Sequence, residues 1–336
     1  MRREPSPQAP RSGARNEAES SQPSEVKSRA WLGFALRVAL TLAIFAALFW
    51  KLPPAELWQT MSRTEPLRWL AVALAFGAVH AVGASKWRML VRAAGTPLSL
   101  ITALRAHAAG LFANIWLPSI IGGDVVRAAW VARAHGGIAV PALAGIADRA
   151  LDLGALLALG ALGAALAPAD KLGPAAPILR AGAVAFVLAG AAGLALLVRM
   201  PASALPARAA RLLERAREVL LQLAQRPGVT AASFALACFT QASFVGLNAW
   251  LGASLGMAPG AAGWLLAWPL SKVVAMVGFT LGGLGVRETA LAALLAPFGV
   301  EPAVAVAQGL VWQSVLFGFG VLAGAWAWLG QRSAGR

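Results

Sequence analysis

Residues 117–127 read Leu-Pro-Ser-Ile-Ile-Gly-Gly-Asp-Val-Val-Arg, which puts an Asp and an Arg among helix breakers at the end of a hydrophobic stretch. From 108 to 123 the chain is apolar enough to enter a bilayer. Yet Pro118 and the pair Gly122, Gly123 interrupt it before the roughly 20 residues of a full span are complete. The pattern predicts a broken or re-entrant element. Irregular backbone is tolerated at membrane depth only where protein or a water-filled cavity satisfies it, and ionisable residues there mark pathways. A second stretch, residues 280–290, repeats the arrangement: Gly282, Gly283 and Gly285 stand just before Arg287 and Glu288. Two interrupted hydrophobic segments in corresponding halves point to a transport site between them.

Such segments need a membrane, and the composition supplies the argument for one. Hydrophobic residues make up 59% of the 336 and charged residues 13%, with a mean hydropathy of +0.68. A soluble globular domain lies far from these values. The 29 basic against 14 acidic residues give +15. With several long apolar runs present, that excess reads as the charge that orients spans, and nucleic acid is not expected as a partner. The single cysteine, Cys238, lies inside a hydrophobic run and forms no disulfide framework.

Taken in order, residues 1–30 are polar and Pro-rich and are expected to form a disordered cytoplasmic tail. The apolar run 34–50 is too long for a signal-peptide core and meets Lys-Leu-Pro-Pro instead of a small-residue cleavage site, so it is read as a first span. Further spans are expected over 67–84, 140–167, 178–198, 230–251 and 303–329. Between 85 and 92, Lys86, Arg88 and Arg92 beside Trp87 read as a cytoplasmic interface signal. The span over 140–167 carries Asp148 and Asp152 on one helix face, with Arg149 spaced to pair with Asp152. Residues 205–226 form an amphipathic pattern. Leu212, Ala216, Val219, Leu220 and Leu223 fall on one face, opposite Arg208, Arg211 and Arg215, and the helix is expected to lie on the cytoplasmic leaflet. The second broken element covers 264–298 and carries Pro269 and Lys272.

Basic residues cluster in 1–30, 85–105, 200–229 and 331–336, which the positive-inside rule assigns to the cytoplasm together with both termini. This requires each broken element to return to the side it entered from. The expected fold is therefore all-α: a polytopic membrane helix bundle over 31–330 in two inverted repeats, about 31–167 and 178–330. Each repeat holds three spans and one re-entrant element.

The motifs Ser-Lys-Trp-Arg-Met-Leu at 85–90, Leu-Pro-Ser-Ile-Ile-Gly-Gly-Asp-Val-Val-Arg at 117–127, Asp148-Arg149 and Gly-Gly-Leu-Gly-Val-Arg-Glu at 282–288 resemble the family named for the transmembrane region of lysylphosphatidylglycerol synthase, also called flippase-like membrane proteins. The resemblance covers about 31–330. In the bacterial multiple peptide resistance factor the resembling region is assigned to moving an aminoacylated phospholipid between leaflets, and a separate soluble domain makes that lipid. No such domain is expected after Arg336, so the resemblance implies the translocation half and not the aminoacyl-transfer enzyme. Related members are associated with hopanoid or glycolipid transport. The implied partners are membrane lipids: an anionic or aminoacylated phospholipid, a hopanoid or a glycolipid. A homo-oligomer or a lipid-synthesis enzyme is a further candidate partner, and the cytoplasmic membrane is the expected location.

A flippase must lead a polar head group through about 30 Å of hydrocarbon, which calls for a polar groove. Half-helices beginning near Gly123 and Gly285 would offer backbone amides to a phosphate. Arg127 and Arg287 suit bidentate phosphate contacts. Asp124, Asp148 and Asp152, with Arg149, would receive a cationic head group or balance the arginines, and Glu288 is a candidate proton carrier. Every one of these residues also has a structural reading, as a helix-end charge or an ion pair that lets the bundle insert. His80, His107 and His135 lack metal-site spacing, and no nucleotide motif is present, so neither a metal nor a cofactor is expected. Two other classes fit the same residues: an integral membrane transferase acting on a lipid-linked substrate, and a non-catalytic partner of a lipid-synthesis complex.

Overall fold

A computed structural model describes residues 22–117, 122–173, 198–276, 280 and 283–334, with isolated positions between 174 and 197. Pro118, Gly282 and most of the span expected over 178–198 lie outside the described residues, as does 1–21 of the expected tail. Among the described residues the chain forms twelve α-helices and no strand. They are α1 (Gln22–Lys51), α2 (Pro54–Met61), α3 (Pro66–Ala93), α4 (Leu100–Trp116), α5 (Gly122–His135), α6 (Ala139–Leu166), α7 (Ala169–Leu172), α8 (Ala207–Ala224), α9 (Pro227–Ser254), α10 (Gly260–Met276), α11 (Val286–Leu295) and α12 (Pro302–Ala334). The helix α1 begins inside the stretch read as tail.

Four of them, α3, α6, α9 and α12, are long and apolar enough to cross a bilayer. At 28 residues, α3 is about 42 Å long. Leu67, Leu74, Ile146, Leu166, Leu322 and Leu329 on three of these helices are exposed, as a hydrocarbon solvent demands. Six full spans were expected. Of the remaining two, one falls on 178–198, and the other is the part of α1 from Val38 to Trp50, which meets α2 across an 87° bend. The Lys-Leu-Pro-Pro sequence makes that bend, since Pro54 starts a helix but cannot continue one.

The interrupted elements are helix pairs. In the first, α4 has 17 residues, about 26 Å, and α5 has 14, about 21 Å. Each falls short of a hydrocarbon core of about 30 Å. In the second, α10 has 17 residues and α11 only 10. Ser99 caps α4, accepting from the Thr102 amide at 3.1 Å. Gly283 and Gly285 have φ of +75° and +79°, which turns the chain into α11 as only glycine does without strain.

The packing of these elements has an internal correspondence. Along α6 lies α10, and along α12 lies α4; α4 packs on α5 as α10 does on α11; α3 and α9 pack on each other. Exchanging α3 with α9, α4 with α10, α5 with α11 and α6 with α12 maps these pairs onto one another. Small residues permit the close approaches. A Cβ at Gly163 of α6 would lie 2.3 Å from the Leu266 backbone nitrogen of α10, and one at Gly324 of α12 would lie 2.5 Å from the Phe112 ring of α4. In lipid, where no hydrophobic force drives helices together, such contact is a main source of association. Between the halves an aromatic core forms, with Phe76 of α3, Trp268 of α10 and Trp312 of α12 stacked edge to face at centroid distances of 5.4 and 5.2 Å.

The helix α8 appears where amphipathicity placed it, but its apolar face meets protein. Leu213, Val219 and Leu223 are buried, and the latter two join the core formed by Trp87, Leu90, Val131 and Leu143. Of the expected face, Ala216, Val219, Leu220 and Leu223 are buried or half-buried, and only Leu212 is exposed, with Leu213 inside in its place. Docking on α3 and α6 competes with the leaflet for that face, and the bundle has it. Leu223→Ala is therefore expected to cost about 2 kcal/mol, near the low end for a buried leucine, and Leu212→Ala less than about 0.5. Thermal unfolding in detergent measures both.

Candidate functional site

Where α3, α4, α5 and α6 meet α9 and α10, the bundle encloses a cavity of about 100 Å³ lined by seven charged side chains. Four are cationic, Lys86, Arg127, Arg149 and Lys272, and three anionic, Asp124, Asp148 and Asp152. One positive charge is left in excess. The local reason for the cluster lies in α6, where Asp148 and Asp152, one turn apart, face Lys86 of α3. Lys86 Nζ donates to Asp152 and lies 3.1 Å from Asp148 Oδ1. That second contact is an ion pair without hydrogen-bond alignment, since Asp148 Oδ1 accepts no hydrogen bond.

Arg127 of α5 enters from the other side. Its Nη1 donates to Asp148 Oδ2 at 3.2 Å, its Nη2 lies 3.2 Å from Asp124 Oδ1, and its guanidinium sits over the Trp87 ring at 4.4 Å. A Cβ at Gly145 of α6 would come within 3.4 Å of Nη2, so this glycine leaves the arginine its room. Arg149 reaches across to Asp124, its Nε donating to Oδ2 at 2.7 Å and its Nη2 to Oδ1 at 3.3 Å. The spacing-based pairing of Arg149 with Asp152 is thus corrected. Lys86 takes Asp152, and Arg149 is free to clamp α6 to the start of α5.

A chain of imidazoles leads onward. Arg127 Nη1 lies 3.5 Å from His107 Nδ1, and His107 Nε2 lies 3.1 Å from His80 Nδ1. A guanidinium can only donate, so His107 accepts at Nδ1 and donates from Nε2 to His80. Lys272 of α10 closes the cavity from the second half, donating to Gln241 Oε1 at 2.9 Å with Phe244 under its ammonium at 5.1 Å.

Of the residues singled out in the sequence, Asp124, Arg127, Asp148, Arg149 and Asp152 come together here. Arg287 and Glu288 do not line this cavity. They form a second cluster. Glu288, 1% exposed, accepts from the Gly285 amide at 2.7 Å and from Arg287 Nε at 3.1 Å, while Arg287 Nη2 donates to Gln313 Oε1 at 2.9 Å. The half-helix amides are also partly used: Asn114 Oδ1 accepts from the Gly123 amide at 2.9 Å, as Glu288 does from Gly285. Both contacts satisfy helix-start donors that the sequence reading left for a ligand.

Lys86 was missed. Read as an interface signal, it is 1% exposed and is the shared cation of two carboxylates. The signal was present in α6, where two aspartates on one face of a membrane helix require a cation opposite. In the corresponding pair of the second half, α9 and α12, the tie is neutral: Gln308 Nε2 donates to Asn248 Oδ1 at 2.7 Å. Charge is concentrated on one side of the correspondence.

The chain is thus a polytopic α-helical membrane protein that encloses a charged cavity within its bundle. Residues 34–324, nearly its whole length, match the family described as Lysylphosphatidylglycerol synthase TM region, to which the chain belongs. It is a membrane protein related to lipid modification or transport. No curated protein matches it at a significant level.

Proposed function

We propose that this chain moves a polar-headed lipid between the leaflets of the cytoplasmic membrane, with no chemical step of its own. The observation that carries this reading is the charged cavity inside the bundle. Six helices converge on seven charged side chains, which a purely structural bundle has no need to gather in lipid. The two short helix pairs support it, because α5 meets the cavity near its start at Gly123 and α10 at its last residue, Met276, the helix ends that transport sites use. The packing correspondence supports two repeats, which we read as inverted, with both termini cytoplasmic on the distribution of Lys and Arg.

Arg127 is the residue that tests it. Lysine keeps the charge near Asp148 but loses the planar fork that serves Asp124, Asp148 and a phosphate oxygen together. Arg127→Lys is expected to insert and purify normally while slowing leaflet-resolved lipid movement in proteoliposomes at least about ten-fold, the equivalent of one charge-assisted contact. Movement at the unaltered rate in Arg127→Lys, with no loss of thermal stability, would reject the role. No movement by the unaltered protein with any anionic, aminoacylated or glycosylated lipid would reject the function.

A further inference from the structure

Two cavities of opposite chemistry share one wall. Besides the charged cavity, the bundle carries a groove of about 280 Å³ between α3, α4 and α12, and both are lined by His80, His107 and Leu111. Apart from the two imidazoles and the Trp326 indole, the side chains lining the groove are hydrocarbon, among them Ala81, Leu104 and Leu322. Leu322 is exposed, so the groove opens on the lipid-facing side of the bundle. A polar chamber and an apolar groove divided only by His80, His107 and Leu111 suit an amphiphile lying across the junction.

Charge selects the head. Four cationic side chains face three carboxylates in the chamber. Among the described residues Lys272 has no carboxylate partner, only the Gln241 amide oxygen and the Phe244 ring. Arg127 is 4% exposed, and its Nε has no hydrogen-bond acceptor. Buried donors without acceptors and one uncompensated positive charge are matched by a single anionic group.

We propose that the two cavities form one site for a monoanionic phospholipid. Its phosphate sits in the chamber between Lys272 and Arg127, one acyl chain lies in the groove, and the His80–His107 pair stands at the junction. This deepens the translocation reading and rests on it for the ligand being a lipid, while occupancy of the site does not require movement.

Photolabelling tests it. The full chain is reconstituted in phosphatidylcholine vesicles holding a trace of phosphatidylglycerol with a diazirine-bearing acyl chain, and labelled peptides are mapped after irradiation. A matched phosphatidylcholine probe runs in parallel. Label is expected to concentrate on α4 near Leu104 and on α12 near Leu322, and to be displaced by unlabelled phosphatidylglycerol. Ala81→Trp, which fills the groove, is expected to lower that labelling about ten-fold. Lys272→Gln should bring the preference for phosphatidylglycerol over phosphatidylcholine down about ten-fold while label stays in the groove. Equal labelling by the two probes overturns the anionic head, and label spread evenly over the exposed faces of α3, α6, α9 and α12 overturns the groove. Should Ala81→Trp fail to fold, the map and Lys272→Gln still decide. Groove labelling with phosphatidylglycerol preference but no leaflet exchange would leave this site standing and remove the translocation reading alone.

Discussion

Lys86→Met is expected to lower the stability of the bundle by about 3–5 kcal/mol, the loss that follows when one partner of a buried ion pair is removed. Methionine fills the volume of the lysine stem, so the loss is electrostatic. Asp152 is left without its ion-pair partner, and Asp148 keeps only Arg127. The check is thermal unfolding in a mild detergent, with a second variant to separate charge from packing. In Lys86→Met/Asp152→Asn the unpaired carboxylate is gone, and more than half of the lost stability should return. A double variant as unstable as the single one would mean that Lys86 acts through the packing of its stem.

The second large effect is steric. Gly163→Val should cost about 3 kcal/mol, at the top of the range for overpacking, because the obstacle is backbone. A Cβ there would stand 2.3 Å from Leu266 N and 2.5 Å from Leu265 C, neither of which can rotate away. The helices α6 and α10 must part, and with them the walls that bring Asp148 and Asp152 toward Lys272. Gly246→Ala on α9 is the control. Nothing lies within 4 Å of its Cβ, and replacing a helical glycine there should be neutral or stabilising by up to about 1 kcal/mol. Unfolding midpoints of the two variants that fall together would refute close helix contact as the cause.

How far the sequence carried depended on whether a feature was local. The helices α3, α6, α9 and α12 were legible because a run of apolar residues long enough for a bilayer is a one-dimensional property. The turn at Gly283 and Gly285 was legible because glycine acts on its own backbone, whereas Gly122 and Gly123 stand in the first turn of α5. The face of α8 was nearly so, and missed by one residue because its partner turned out to be the core around Leu90 and Val131. Arg149 and Lys86 were assigned from their nearest neighbours in sequence, and both assignments changed once the α3–α6 and α5–α6 packings were in place.

Composition and the placement of Pro, Gly and charged residues by themselves determined that this chain is an all-helical membrane bundle with two broken elements, and they marked Asp124, Arg127, Asp148, Arg149 and Asp152 as exceptional. Lipid makes that inference strong, since an ionisable group inside a span is costly wherever it points. Which charges meet which is a long-range matter. Only the tertiary structure brought Lys86 and Lys272, 186 positions apart, into one chamber with those residues and set Arg287 and Glu288 apart in a second cluster. Side-chain pairing across helices depends on crossing points set by glycines such as Gly163 and Gly324, and the contact is decided by the shapes of two helices together.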